Sequence, residues 1–150
     1  MGTPAIMVLG TASHVGKSTI VTGLCRLLAR AGLRVAPFKA QNLSNNSFVT
    51  LDGGEIGRST ATQAQAAGIE PTVDMNPVLL KPMGSQGCQL VLMGKPVGNL
   101  TMAQYNDRKP EVTRAVHAAY DRLAASHDAI VLEGAGGCAE INLRAFDLVN

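Results

Sequence analysis

Gly10-Thr11-Ala12-Ser13-His14-Val15-Gly16-Lys17-Ser18-Thr19 constrains this chain more than any other stretch. It follows an apolar run, Ile6-Met7-Val8-Leu9, and precedes residues patterned as a helix. A strand, a glycine-bounded turn and a helix, in that order, form the setting of a phosphate-binding loop. Backbone N–H groups of such a turn and of the helix start converge on an anion, and the helix dipole favours negative charge there. Lys17 adds a point charge for β- and γ-phosphates, and the Ser18 hydroxyl suits Mg²⁺. The usual GxxxxGK(S/T) pattern has four residues between its glycines, whereas five lie between Gly10 and Gly16. The alternative is a glycine-rich turn that binds nothing. The strand–loop–helix context favours a nucleoside triphosphate site.

Composition narrows the remaining classes. At 150 residues the chain holds one domain with a sizeable core. The formal net charge of +2 is spread without a basic run, and aromatic residues make up 3% with no Trp. Neither a nucleic-acid surface nor an anionic-membrane surface is supported. Cys25, Cys88 and Cys138 lack CxxC spacing, so reduced cytosolic thiols are expected rather than disulfides or zinc. No signal peptide or membrane span is read, and the location expected is cytoplasmic.

The rest of the chain reads as alternating strands and helices. Residues 4–9 are expected to be a buried strand at the centre of a parallel sheet. A helix follows over 17–31, with Ile20, Leu24, Leu27, Leu28 and Ala31 as its core face and Gly32 as its stop. Residues 33–38 form the second strand of a βαβ unit. Lys39 stands at its carboxyl end, where ligands bind in open α/β sheets, although a solvated lysine is the plain alternative.

Beyond it, Gln41, Asn42, Asn45 and Asn46 cluster. They either turn the chain or hydrogen-bond a polar substrate. Asp52 and Glu55 precede a small-residue helix over 57–67, whose Arg58, Gln63 and Gln65 read as a solvated face. An acidic metal ligand near that helix start is left open.

Residues 76–82 are a strand bracketed by prolines and ending near Lys81, and 89–93 are another. Residues 83–88 read as linker-like and 94–96 as a turn. A helix over 110–126 buries Val112, Val116, Ala119 and Leu123. The strand 129–133 ends in Glu133, followed by Gly134-Ala135-Gly136-Gly137. A strand-end carboxylate before a glycine turn completes the nucleotide signature: it reaches the metal directly or through water. His14 lies in the loop and reads as a solvated residue.

Five segments in order carry a family resemblance: GTASHVGKS, RVAPFKAQNLSNNSFVT, DGGEIGRSTATQAQAAGIEP, MNPVLLKP and IVLEGAGGCAEINL. Together they are similar to cobyric acid synthase, the glutamine-dependent amidotransferase of cobalamin synthesis. The loop and EGAGG also resemble dethiobiotin synthetase. The resemblance implies an α/β, P-loop NTPase-like fold, a mostly parallel sheet flanked by helices as in dethiobiotin synthetase, here truncated. It implies that residues 1–150 are the N-terminal part of an ATP-binding amidoligase domain, with a C-terminal glutaminase domain absent and Cys138 not its nucleophile.

The implied reaction amidates the b, d, e and g carboxylates of adenosylcobyrinic acid a,c-diamide. ATP phosphorylates each carboxylate, and ammonia from glutamine displaces the phosphate. By matching motif positions, Gly10, Thr11, Gly16, Lys17, Ser18 and Thr19 hold the nucleotide, and Ser18 with Glu133 hold Mg²⁺. Lys17, Lys39 and Glu133 act in catalysis, with Lys39 bridging γ-phosphate and carboxylate. Gln41, Asn42, Asn45 and Asn46 contact the corrinoid. A homo-oligomer is left open. The alternatives are a dethiobiotin synthetase-like ligase, disfavoured by PFKAQN, and a P-loop switch ATPase, which usually carries a further lysine early in the loop where Ala12 and Ser13 stand.

Overall fold

A computed structural model describes residues 2–12, 14–84 and 87–135. Ser13, Gly136, Gly137, Cys138 and the final Asp147-Leu148-Val149-Asn150 lie outside the described residues. The first strand, β1 (Ala5–Val8), leads through the glycine loop into helix α1 (Lys17–Arg30) and strand β2 (Val35–Phe38). Three short strands follow: β3 (Gln41–Leu43), β4 (Ser47–Val49) and β5 (Glu55–Gly57). Helix α2 (Arg58–Ala67) and a 3-10 turn (Val73–Met75) precede β6 (Val78–Pro82), β7 (Cys88–Leu92) and β8 (Lys95–Leu100). The described chain closes with α3 (Met102–Asp107), α4 (Lys109–Ser126) and β9 (Ala129–Glu133).

The sheet that carries the loop is parallel, in the order β1-β9-β2. Thus β1 and β2 belong to one βαβ unit, yet β9 is inserted between them, with Ala5 opposite Ile130 and Val35 opposite Ala129. Period-two alternation sorts its side chains onto two faces. Val35 and Val131 pack with Val21 and Cys25 of α1. Ala36, Phe38 and Ile130 pack with Val112, Val116, Ala119 and Leu123 of α4. That α4 stripe is the one its 3.6-residue spacing predicts. Truncating Leu123 to Ala would remove about 2–5 kcal/mol.

A second sheet, β3-β6-β7-β8, joins β3 parallel to β6 and continues as antiparallel hairpins, while β4 and β5 form a small antiparallel pair. The linker-like stretch thus falls between paired strands: Cys88 already belongs to β7, and residues 85 and 86 lie outside the described residues. The expected turn at 94–96 is shorter than anticipated. Met93 and Gly94 alone adopt positive φ (48° and 75°), as a tight hairpin needs. Lys95 and Pro96 already belong to β8, where Pro is tolerated because the strand is an edge among the described residues. Thr101 caps α3 through a reciprocal Thr101–Gln104 capping box.

Two expectations about burial are corrected. Strand β1 edges the described parallel sheet instead of lying at its centre, and Ile6 and Met7 are exposed. In α1 Leu24 and Leu28 pack against the core as expected, but its fully buried residues are Val21 and Cys25, both 0% exposed, whereas Ile20 and Leu27 are 56% and 63% exposed and Ala31 is exposed too. The helix is apolar on more than one face, so spacing alone did not select the buried one. No helix among the described residues is long and apolar enough to cross a membrane.

Candidate functional site

The glycine loop turns sharply where chemistry requires it. Gly16, with φ 97°, caps α1 in a left-handed conformation that favours glycine. At Gly10 a Cβ would fall 2.7 Å from the Val15 side chain and 3.0 Å from that of Lys17, so any larger residue would force those side chains to shift. Lys17, Ser18 and Thr19 form the first turn of α1, whose N–H groups lack intrahelical partners and serve an anion. Lys17 Nζ donates to the Ala12 carbonyl at 2.9 Å, folding the side chain back over the loop. The Gly134 N–H bonds the Val8 carbonyl at 3.0 Å and so ties the turn after β9 to the strand before the loop.

Glu133 is the centre of this region. The β9 register brings it opposite Val8, and it is 2% exposed. Its Oε1 accepts from Ser18 Oγ at 2.8 Å and Lys39 Nζ at 2.6 Å, and its Oε2 accepts from Gln63 Nε2 at 2.5 Å. The Lys39–Glu133 pair is buried on both sides, so deleting either partner would strand a charge in a poorly solvated place. The cleft beside it has a volume of about 550 Å³, and its walls include Lys17, Ser18, Thr19, Lys39, Asn42 and Glu133.

Lys39 is gripped through its backbone. Its N–H bonds the Met75 carbonyl at 2.8 Å, and its carbonyl accepts from Asn76 Nδ2 at 2.8 Å. The same amide donates to the Val78 carbonyl at 3.1 Å, and Asn76 Oδ1 accepts from the Gly57 N–H at 2.8 Å. One side chain thereby joins the end of β2, the start of α2 and β6.

The structure brings Lys17, Ser18, Thr19, Lys39 and Glu133 to one cleft, with Gly16 in its wall. The amide cluster is divided. Asn42 is buried and lines the cleft, but Gln41 Oε1 accepts from the Tyr105 hydroxyl at 2.6 Å, away from it. Burial pushes that tyrosine's pKa up to about 12, with the Cys88 thiol adding a smaller effect. Asn45 and Asn46 are exposed; the Asn46 carbonyl accepts from the Arg58 N–H at the start of α2, and its own N–H bonds Ser44 Oγ. Thr11 is exposed on the loop, as is His14, which borders the cleft.

The acidic residues before α2 are engaged within the fold. Asp52 accepts from the Thr50 hydroxyl, and Glu55 is paired with Lys81. Burial works against ionisation of Glu55, but hydrogen bonds from Lys81 and Ser47 and the Lys81 charge hold its pKa below the ordinary value. Among the described residues no three His, Cys, Asp or Glu side chains gather to hold a metal. Gln63, expected on a solvated face, is 0% exposed and bound to Glu133. Nothing in the spacing of α2 marked it, since Thr60, Ala61, Gln63 and Ala64 are buried together in a helix of small and polar residues. Asn76 gave no signal beyond its place before a proline.

Residues 6–143 match the CobQ/CobB/MinD/ParA nucleotide binding domain. The chain is 55% identical to cobyric acid synthase of Cereibacter sphaeroides over 147 residues, which cover 98% of this chain and 31% of that protein. It is 55% identical to cobyric acid synthase of Chloroflexus aggregans over 150 residues, 100% of this chain and 30% of that one. A probable cobyric acid synthase of Methanosarcina mazei is 56% identical over 146 residues, 97% and 30% of the two chains. The chain thus spans less than a third of the length of these curated relatives.

Proposed function

This chain belongs to the CobQ/CobB/MinD/ParA nucleotide binding domain family, and from that premise we propose that its cleft binds Mg·ATP and activates carboxylates of a corrinoid for amidation. The activity is that of the cobyric acid synthases it resembles, in cobalamin synthesis. Residues 1–150 supply the ATP-binding part, and ammonia comes from glutamine at a glutaminase domain outside this chain. The observation that carries the reading is the convergence of Ser18, Lys39 and Gln63 on Glu133 at the mouth of a glycine loop.

The donor set fits Mg²⁺. Glu133 and Ser18 offer hard oxygens 2.8 Å apart, and this ion characteristically takes one or two protein oxygens and fills its remaining positions with phosphate and water. When bound, the ion would neutralise charge on the β- and γ-phosphates. Gly10, Thr11, Gly16 and the first turn of α1 cradle those phosphates through backbone N–H groups. Lys17 leaves the Ala12 carbonyl for a phosphate oxygen.

Lys39 is paired with Glu133. Its ammonium stands at the cleft wall, where it can exchange the carboxylate for the γ-phosphoryl group and the substrate carboxylate. A substrate carboxylate oxygen then bonds to the γ-phosphorus as the bond to ADP breaks. Ammonia attacks the resulting acyl phosphate at carbon, and phosphate leaves, taking up the proton that the nitrogen loses. Most of what the protein contributes to such a transfer is position and fixed positive charge. Asn42 is the member of the amide cluster with access to the corrinoid from this cleft.

The test is incubation of the protein with Mg·ATP, ammonium and cobyrinic acid a,c-diamide, followed by mass spectrometry of the corrinoid and an ADP assay. Amide formation matched by ADP release is expected. ATP hydrolysis that ignores the corrinoid would refute the substrate assignment and leave the nucleotide site standing.

A further inference from the structure

Helix α2 carries a buried polar side chain that the reaction scheme leaves without a role. Gln63 is 0% exposed, and its Nε2 donates to Glu133 Oε2 at 2.5 Å. The amide orientation is fixed by chemistry, because an ionised carboxylate only accepts and so must face the NH₂ group. That orientation leaves Gln63 Oε1 buried with no partner among the described residues. One turn earlier Thr60 Oγ1, also 0% exposed, has none either. A buried acceptor left unpaired is costly, so this side chain is an expensive way to fill space and its single contact with Glu133 stands out.

The three donors around Glu133 differ in kind. Ser18 and Lys39 both approach Oε1, and both are groups that a metal–nucleotide complex would recruit. Gln63 donates to Oε2 instead, from a helix packed within the fold, and it is neutral. A neutral donor of this kind can orient the carboxylate without neutralising it. We infer that Gln63 is a positioning residue that pins Glu133 through Oε2, so that Oε1 is presented with its full charge to a divalent cation in the cleft. The inference rests on the reading of this cleft as a Mg·nucleotide site. Outer partners of ligating carboxylates commonly govern metal affinity in this way.

The experiment follows a fluorescent ATP analogue binding to the purified protein as Mg²⁺ is raised, and separately in EDTA. Gln63→Met removes the amide at nearly constant volume. It is expected to raise the Mg²⁺ concentration for half-maximal binding about tenfold or more, with EDTA binding within about twofold of wild type. Gln63→Asn, which withdraws the amide by one methylene, is expected to do the same. Thr60→Val alters the same buried helix face without touching Glu133 and should leave the Mg²⁺ requirement unchanged.

An unaltered Mg²⁺ requirement in Gln63→Met would overturn the inference. So would equal losses with and without metal, or failure of both Gln63 variants to fold, since each marks a merely structural residue. Wild-type protein that binds the analogue without regard to Mg²⁺ would instead overturn the reading of the cleft itself.

Discussion

Removing the Asn76 side chain should do more damage than its place in a short connection suggests. Asn76 is 1% exposed and makes three hydrogen bonds, to the Gly57 N–H and to the Lys39 and Val78 carbonyls. A typical intramolecular hydrogen bond contributes about 1 kcal/mol net, and a buried group left without a partner costs about 1–3 kcal/mol. Asn76→Ala loses all three bonds and orphans the Gly57 N–H at the start of α2. The expected destabilisation is about 3–5 kcal/mol, a large share of the 5–15 kcal/mol that holds a typical domain together.

Asn76→Asp separates the two halves of the interaction. It keeps an acceptor for Gly57 but turns a carboxylate oxygen towards two carbonyls, so it should cost at least as much as Ala. Urea unfolding followed by circular dichroism gives both values, and nucleotide titration of the folded fraction reports on Lys39. An Asn76→Ala loss below about 1 kcal/mol, at unchanged urea dependence, would refute the claim that this side chain staples β2, α2 and β6 together.

Three further outcomes are expected. Lys17→Ala should weaken Mg·ATP analogue binding about ten- to hundredfold, as loss of a charge-assisted hydrogen bond predicts, while leaving the melting temperature unchanged; calorimetric titration that finds wild-type affinity would remove Lys17 from the phosphate site. Glu55 has a folded pKa below its ordinary 4.5, so the stability it contributes is present above that value and is lost as pH falls through the folded pKa. The stability difference between wild type and Glu55→Gln, about 1 kcal/mol for a partly buried pair, should therefore shrink in acid unfolding series below pH 4.5, and a difference that grows there contradicts the pairing with Lys81. Burial raises the Cys25 thiol to about 12, so iodoacetamide at neutral pH should modify it only as fast as the fold opens, and rapid labelling of native protein would contradict its packing against Val35 and Val131.

Much of the site-bearing sheet was legible because its signals were local. The loop announced itself by two glycines and Lys17-Ser18, β9 by an apolar run ending in Glu133, and α4 by a polar helix with one clean stripe. Where a segment's environment depends on distant partners, local pattern failed. Val21 and Cys25 compete with Ile20 and Leu27 in a helix apolar on several faces, and the positions of β2 and β9 decide between them. Strand β8 was obscured by Pro96 and Gly98, which an edge accepts and a central strand does not. Gln63 sits among small and polar residues, so its burial follows from the packing of α2 against α1 and the β2 strand, which no spacing rule contains. The amide cluster was read as one recognition surface, but alternation along β3 sends Gln41 to Tyr105 and Asn42 to the cleft.

The order of strands also sets a timetable for the ribosome. Among the described residues Ala5 and Val35 pair with Ile130 and Ala129, so the glycine loop emerges about 10 s before the strand that stands beside it, at a synthesis rate of about 5–20 residues per second. During that interval β1 and β2 lack the strand that joins them, and the apolar residues of both are free to meet other chains. Glu133 is made long after the glycine loop, so the cleft wall that it forms is the later of the two, and that wait is the period in which a chaperone would be most useful.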